Sequence, residues 1–462
     1  MHMKTFYGMA LATALITAGC NSTTSNNNTT NKAENAKSAA IVDGIPDFML
    51  QGNIYEVNVR QYTPEGTFNA FAKHLPRLKE MGVQTLWFMP INPISVKDRK
   101  GVLGSYYAVQ DYKGINPEFG NLDDWKNLVT KAHEMGFKVI IDWVANHTGA
   151  DNKWLETNKD FFVLDSVTKE PVFAFDWSDT RDLNFDNPKL ADSMISAMKF
   201  WITETNIDGF RCDVAGEVPD AFWEKAIKSL KEVKPDIVML AEGDKPSLIN
   251  AGFQISYPWN MYHVTKEIAS GKKDASYMDT ALQQVYKNIP KNGYQLWFTS
   301  NHDENSWNKA DYETMPGKIH APFAVLTQTL PLGIPLIYSG QEEPVLDSIS
   351  FFYKNTINFK EYNRAPFYKA LLELRKSNPA LAANVPAETV ALGNPKQVYA
   401  FVRKKDNNEV LVITNLSNKT AAVNFKGSKI SGEWTNVFSK MNEKLTDSVI
   451  NLESFGFRVY SK

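Results

Sequence analysis

From Pro46 onward, short apolar runs alternate with amphipathic stretches. The runs 54–59, 83–89, 138–143, 209–214, 237–241, 253–257, 296–299 and 334–338 have the length and near-continuous hydrophobicity of strands buried on both faces. Between them, 68–81, 122–135, 188–204, 221–233, 320–330 and 366–377 repeat apolar positions at helical spacing. About eight strand–helix units in some 330 residues predict a (β/α)8 TIM barrel over residues 46–378. A doubly wound open sheet is the rival, but no Gly-x-Gly-x-x-Gly loop follows the first strand. The rhythm breaks twice. A stretch rich in Trp, Phe and Asp after the third strand predicts a small inserted domain at 148–185. Beyond Pro379, the short β runs 398–403, 410–415, 421–425 and 455–460, bounded by Asn, Lys and Gly turns, predict a C-terminal antiparallel β domain at 379–462.

Composition narrows the function classes. The chain of 462 residues is 43% hydrophobic, enough for a large domain with a smaller companion. Lysine and arginine (50) nearly balance aspartate and glutamate (52), with no basic block beyond short clusters such as 225–234, so a nucleic-acid partner is not expected. At the amino terminus Lys4 precedes an apolar run, 6–18, which reads as a secretory signal. At about 13 residues the run is too short to span a bilayer comfortably. The segment Leu15-Ile16-Thr17-Ala18-Gly19-Cys20 resembles a bacterial lipobox, which implies a signal peptide at 1–20 and lipidation of Cys20. A polar tether is expected over 21–45. The protein is then exported and held at the bacterial membrane only by its lipid, facing periplasm or cell surface. Cys212 is the other cysteine, so lipidation of Cys20 leaves no disulfide to form within the chain.

In a TIM barrel the chemistry gathers at the carboxyl ends of the strands. Here the third strand ends in Asp142-Trp143-Val144-Ala145-Asn146-His147, the fourth in Arg211-Cys212-Asp213, the fifth in Glu242, and the seventh in Asn301-His302-Asp303. Side chains alternate along a strand, so Arg211 and Asp213 share a face, and the guanidinium is expected to lower the pKa of the carboxyl. Glu242 follows the apolar run 237–241, where desolvation is expected to keep it protonated. Two carboxyls in contrasting environments suit cleavage of a glycosidic bond.

The segments DWVANHTG, GFRCDVAGEV, AEGD and FTSNHDEN match, in order and spacing, the four signature regions of the alpha-amylase family of glycoside hydrolases, family thirteen. The resemblance runs from about residue 51 to the end. It implies that Asp213 is the nucleophile, Glu242 the general acid and base, and Asp303 the third carboxylate, which grips sugar hydroxyls. Tyr107, His147, Arg211 and His302 match residues that hold the sugar at the cleavage site, and Asp142 is expected to pair with Arg211. The insert resembles the family's domain B. Its Thr180-Arg181-Asp182-Leu183-Asn184 occupies a fifth motif, which implies a Ca2+ site using Asp182, Asn146 and the Glu217 carbonyl, oxygen donors of the kind a hard cation prefers.

The implied activity is retaining hydrolysis, endo- or exo-acting, of α-1,4 bonds in starch, glycogen or maltodextrins by a monomer. Gly216-Glu217 replaces the Lys-His common in alpha-amylases, and Val214 resembles members acting on α-1,6 bonds. A glucanotransferase or α-1,6-acting glucosidase is therefore the alternative. No sandwich module is read ahead of the barrel, which sets the expectation against the cyclomaltodextrinase and neopullulanase type. A non-catalytic glucan-binding protein is the remaining rival, opposed by the intact carboxylates.

Overall fold

The computed structural model describes residues 38–344 and 346–462; the leader, Cys20 and most of the expected tether lie outside them. Eight parallel strands close into a barrel: β1 (Ile54–Val57), β2 (Thr85–Phe88), β3 (Lys138–Val144), β4 (Gly209–Asp213), β5 (Val238–Ala241), β6 (Ile255–Ser256), β7 (Tyr294–Trp297) and β8 (Gly333–Tyr338). Closure comes from β8 pairing with β1, with Leu336 opposite Ile54. Seven lie inside the apolar runs that predict them or overrun them by a single residue, and β7 begins two residues before the expected run 296–299 and ends two before its close. Ile54, Trp87, Ile140, Leu240, Leu296 and Leu336 belong to one buried cluster, so apolar side chains pack this region and the chemistry is left to the rim. Ile45 joins that cluster, and Ile41–Val42 pairs with Ile45–Pro46. The last residues of the stretch expected as tether are therefore a hairpin anchored by an apolar side chain.

The helices mostly follow the periodicity. Leu122–Glu134 begins with a capping box, in which the Asp124 N–H donates to Asn121 Oδ1 and the Asn121 N–H to Asp124 Oδ2, each at 3.0 Å. Residues 68–81, expected as one helix, are instead Phe68–Phe71, a 3-10 turn Ala72–His74 and Leu75–Met81. Pro76 explains the break, because it lacks an N–H and its ring crowds the preceding turn. Two helices between β6 and β7, Trp259–Ala269 and Tyr277–Asn288, were not expected. The second buries only Met278, Ala281 and Leu282, a stripe too narrow to stand out in sequence.

The insert leaves at the end of β3 and returns at a neck where His147–Gly149 pairs antiparallel with Thr180–Asp182. The C-terminal domain is a six-stranded antiparallel sheet with a separate two-stranded ribbon. Val398–Lys405, Asn408–Asn415 and Phe457–Ser461 form its centre. Glu433–Asn436, Asn442–Lys444 and Val449–Leu452 add strands whose mixed polar faces hid them from the hydrophobic pattern. Buried Arg403 joins this sheet to the barrel, donating to the carbonyls of Thr329 at 2.9 Å and of Ala382 and Val385 at 2.6 Å.

Candidate active site

Adjacent strands β3, β4 and β5 bring three carboxylates to one guanidinium. Gly209 makes the approach of β4 to β5 possible, since a Cβ there would lie 2.1 Å from the Val238 carbonyl oxygen. With Cys212 opposite Ala241, the next residues, Asp213 and Glu242, stand side by side at the rim. Fully buried Arg211 donates through Nη1 to Asp142 Oδ1 at 3.0 Å and Asp213 Oδ1 at 2.9 Å. Its Nη2 lies 2.9 Å from Glu242 Oε2, an ion pair without hydrogen-bond alignment. The pairing expected between Asp142 and Arg211 is present, and the Trp87 indole N–H adds a bond to Asp142 Oδ2 at 3.2 Å.

This sharing overturns the expected acidity of Asp213. Burial and the Glu242 carboxylate push its pKa well above the usual carboxylate range, and Arg211 does not reverse the shift. Burial is the larger cause, and the single guanidinium is shared among three carboxylates. Asp142 is likewise raised, by burial first.

Val214 follows Asp213 with φ 44°, a left-handed conformation costly for a β-branched residue. That twist directs its backbone N–H onto Glu242 Oε2 at 2.8 Å, so the strain fixes one carboxyl relative to the other.

A second network crosses from β7 to β1. His302 Nδ1 donates to Glu56 Oε1 at 2.5 Å, and His302 Nε2 lies 3.2 Å from Asp303 Oδ2 and 2.7 Å from the Tyr107 hydroxyl. Although burial opposes its charge, Asp303 and Glu56 raise the His302 pKa well above the ordinary histidine value. As an imidazolium it donates from both nitrogens. Tyr107 accepts one of these protons and passes its own hydroxyl hydrogen to Asp142 Oδ2 at 3.1 Å. Against the effect of burial, His302 also lowers the Asp303 pKa, keeping that carboxyl ionised.

His147 behaves in the opposite way. Burial drives its pKa down to about 3, so the ring is neutral. The Asn146 amide Nδ2 donates to Nδ1 at 3.3 Å, which leaves the proton on Nε2. Among the described residues that Nε2 is buried without a partner, while the ring lines the pocket, as a donor waiting for a ligand oxygen would.

Tyr107, His147, Asp213, Glu242 and Asp303 line a single pocket of about 500 Å3, and Arg211 and His302 support it from beneath. Glu56, Trp177, Trp307 and Phe351 were missed in sequence. A carboxylate inside the apolar run 54–57 was the available signal for Glu56. The half-buried Trp177 and Phe351 and the exposed Trp307 sit outside the regular elements, with no periodicity to mark them.

Two of the three residues expected around calcium come together. His147 is the register partner of Asp182, and the Leu183 N–H donates to the Asn146 carbonyl at 3.3 Å. Asp182 is half-buried, forms no ion pair among the described residues, and is raised by burial, so a cation beside it would relieve a real cost. Asn146 Oδ1 remains free of the contact that its Nδ2 makes. Glu217 is expected through its carbonyl; its side chain lies 3.4 Å from Lys245 Nζ, and Lys245 also donates to the Gly216 carbonyl. Among the described residues no group of three or more His, Cys, Asp or Glu side chains forms a metal cluster. Oxygen donors from Asn146 and Asp182 fit a hard cation; the Glu217 loop already carries a lysine.

Comparison with known proteins agrees with this architecture. The family model for the alpha amylase catalytic domain matches residues 22–162 and 159–366, and that for the alpha amylase C-terminal all-beta domain matches 392–457. Alpha-amylase 3 of Dictyoglomus thermophilum is 26% identical over 445 residues, covering 80% of this chain and 86% of that protein. Neopullulanase 2 of Thermoactinomyces vulgaris is 31% identical over 389 residues, covering 76% of this chain and 62% of its own length. A maltogenic alpha-amylase of Thermotoga neapolitana superposes with a TM-score of 0.81 at 28% identity, covering 89% of this chain and 99% of that structure.

Proposed function

Because the chain belongs to the alpha-amylase family of glycoside hydrolases, we propose that it hydrolyses α-1,4 bonds of starch-type glucans and maltooligosaccharides with retention of configuration. The observation that carries this reading is the pair Asp213 and Glu242, side by side on adjacent strands and bridged by Arg211.

In the proposed reaction Asp213 attacks the anomeric carbon while Glu242 protonates the departing glycosidic oxygen, leaving a glycosyl ester on Asp213. Glu242, now ionised, takes a proton from water, whose oxygen attacks the same carbon and releases Asp213. The cluster around Arg211 suits this sequence geometrically, because one guanidinium reaches both carboxyls and fixes one beside the other. Ionised Asp303 would grip sugar hydroxyls, His147 Nε2 would donate to another, and Tyr107 would offer its ring face. Strand spacing of about 4.8 Å supports the carboxyl separation of roughly 5 to 5.5 Å that retention requires; inversion needs roughly 6.5 to 9.5 Å to admit a water. Proton NMR in the first minutes of maltooligosaccharide hydrolysis is expected to show the α anomer before mutarotation. Initial appearance of the β anomer would exclude Asp213 as a covalent nucleophile.

Calcium enters the same proposal as a stabiliser of the neck. Asn146 and Asp182 would hold it, and its charge would offset the half-buried Asp182 carboxylate. Calcium is then expected to raise the melting temperature by mass action on the native state, with Asn146→Ala and Asp182→Ala each removing the increment. An unchanged melting temperature on chelation, with no calcium found by elemental analysis, counts against it.

A further inference from the structure

On one side the pocket is lined by Lys100, Phe351 and Phe352, whose loops join into a wall. Its centre is the loop 94–104 after β2. On one flank that loop is tied to the inserted domain by two charge pairs. Lys100 Nζ lies 3.1 Å from buried Asp179 Oδ1, and Arg181 pairs with Asp98 while covering the Phe173 ring. On the other flank the Leu103 N–H donates to the Phe352 carbonyl at 3.0 Å. Arg60 fastens the join from below. This buried guanidinium donates to the carbonyls of Gly104 at 3.1 Å, Leu103 at 3.2 Å and Phe351 at 3.3 Å, and covers the Tyr106 ring at 4.1 Å. Separating the two loops would strip a buried charge of its acceptors, so the wall is a fixed part of the fold.

The side on which it stands follows from the aromatic contacts. Phe351 stacks nearly parallel to Tyr107, centroids 6.0 Å apart, and lies 6.5 Å from the His302 ring. Trp307 packs on Phe351 at 5.3 Å, and its backbone N–H donates to the Asp303 carbonyl at 2.8 Å. These contacts gather around Tyr107, His302 and Asp303, whereas Glu242 is held by Val214 and Arg211. In a retaining cleavage the leaving chain departs toward the acid. The sugar that becomes bonded to the nucleophile, with everything on its non-reducing side, lies away from the acid and toward the wall.

Resting on the roles proposed above for Asp213 and Glu242, we infer that this wall makes the enzyme exo-acting: it receives the non-reducing ends of α-glucan chains and releases a short saccharide. The pocket volume of about 500 Å3 fits a compact ligand, near the lower part of the 300 to 1,000 Å3 usual for small-molecule sites.

The test compares two maltoheptaosides with a p-nitrophenyl group at the reducing end, one with a free non-reducing end and one blocked there by a 4,6-ethylidene bridge, with products separated by chromatography. The blocked substrate is expected to be cleaved at least about ten-fold more slowly, and amylose to keep its iodine colour while reducing ends accumulate. In the double variant Asp98→Ala/Lys100→Ala, which removes both charge pairs, the blocked-to-free rate ratio is expected to rise several-fold. Equal wild-type rates on the two substrates would overturn exo-action and leave the catalytic assignment standing. Failure to cleave either substrate would overturn the assignment and this inference together.

Discussion

Asp213→Asn and Glu242→Gln are each expected to lower kcat on maltooligosaccharides about 10³-fold or more, a loss of about 4 kcal/mol of transition-state stabilisation. The two losses differ in kind. Asparagine at 213 keeps the shape and the contact with Arg211 but cannot form the glycosyl ester, so every substrate is affected. Glutamine at 242 still accepts the Val214 N–H but cannot donate a proton to the leaving oxygen. A fluoride or dinitrophenyl leaving group needs no such proton, and with these Glu242→Gln is expected to retain much more of its activity than Asp213→Asn. Both variants should fold, since each replaces an acid with its isosteric amide. Near-wild-type turnover by either purified variant, contamination excluded, would refute the assignment. Equal deficits on natural and activated substrates would refute the division of labour.

Arg211→Met is expected to cost about 3 to 5 kcal/mol of stability at neutral pH, measured by urea unfolding, because it leaves Asp142, Asp213 and Glu242 facing one another without a counter-charge in a buried site. The sign of the pH dependence follows from linkage. Asp142 and Asp213 already have raised pKa values in the folded protein, and removing the guanidinium raises them further. A carboxyl whose folded pKa exceeds its unfolded value favours the folded state below the unfolded pKa, and that contribution is lost as pH rises through the folded value. The variant's deficit should therefore shrink as pH falls from neutrality toward the unfolded carboxylate range near pH 4. A deficit below about 1 kcal/mol, or one independent of pH, would mean that water or side-chain movement neutralises the cluster without Arg211.

The barrel was legible in the chain because its strands are buried on both faces and must be apolar throughout, and its helices must carry one apolar stripe each. Both patterns are properties of local sequence. The site residues on strand ends were legible for a related reason. A strand's rim is the one place where an apolar run gives way to charge, and Asp213, Glu242 and Asp303 all stand there. Pro76 could have been read as a helix break, since its effect is local. Glu56 was open to the same kind of reading, as a lone carboxylate in an apolar strand.

Electrostatics were decided elsewhere. The sequence pairs Arg211 with Asp213 through their spacing, and the family resemblance adds Asp142, but neither shows how deeply the cluster is buried or that Glu242 meets the same guanidinium; burial first, and then the Glu242 carboxylate, reverse the expected shift of Asp213. His147 and His302 look alike in their motifs. Only the fold gives one two carboxylates and the other none, making one an imidazolium and the other a neutral donor. The wall belongs to the same class. Arg60, Asp98, Lys100, Asp179, Arg181 and Phe351 are scattered over nearly 300 positions, and no local pattern joins them. Burial and charge balance are sums over neighbours, and neighbours from different strands and loops exist only once the barrel has closed.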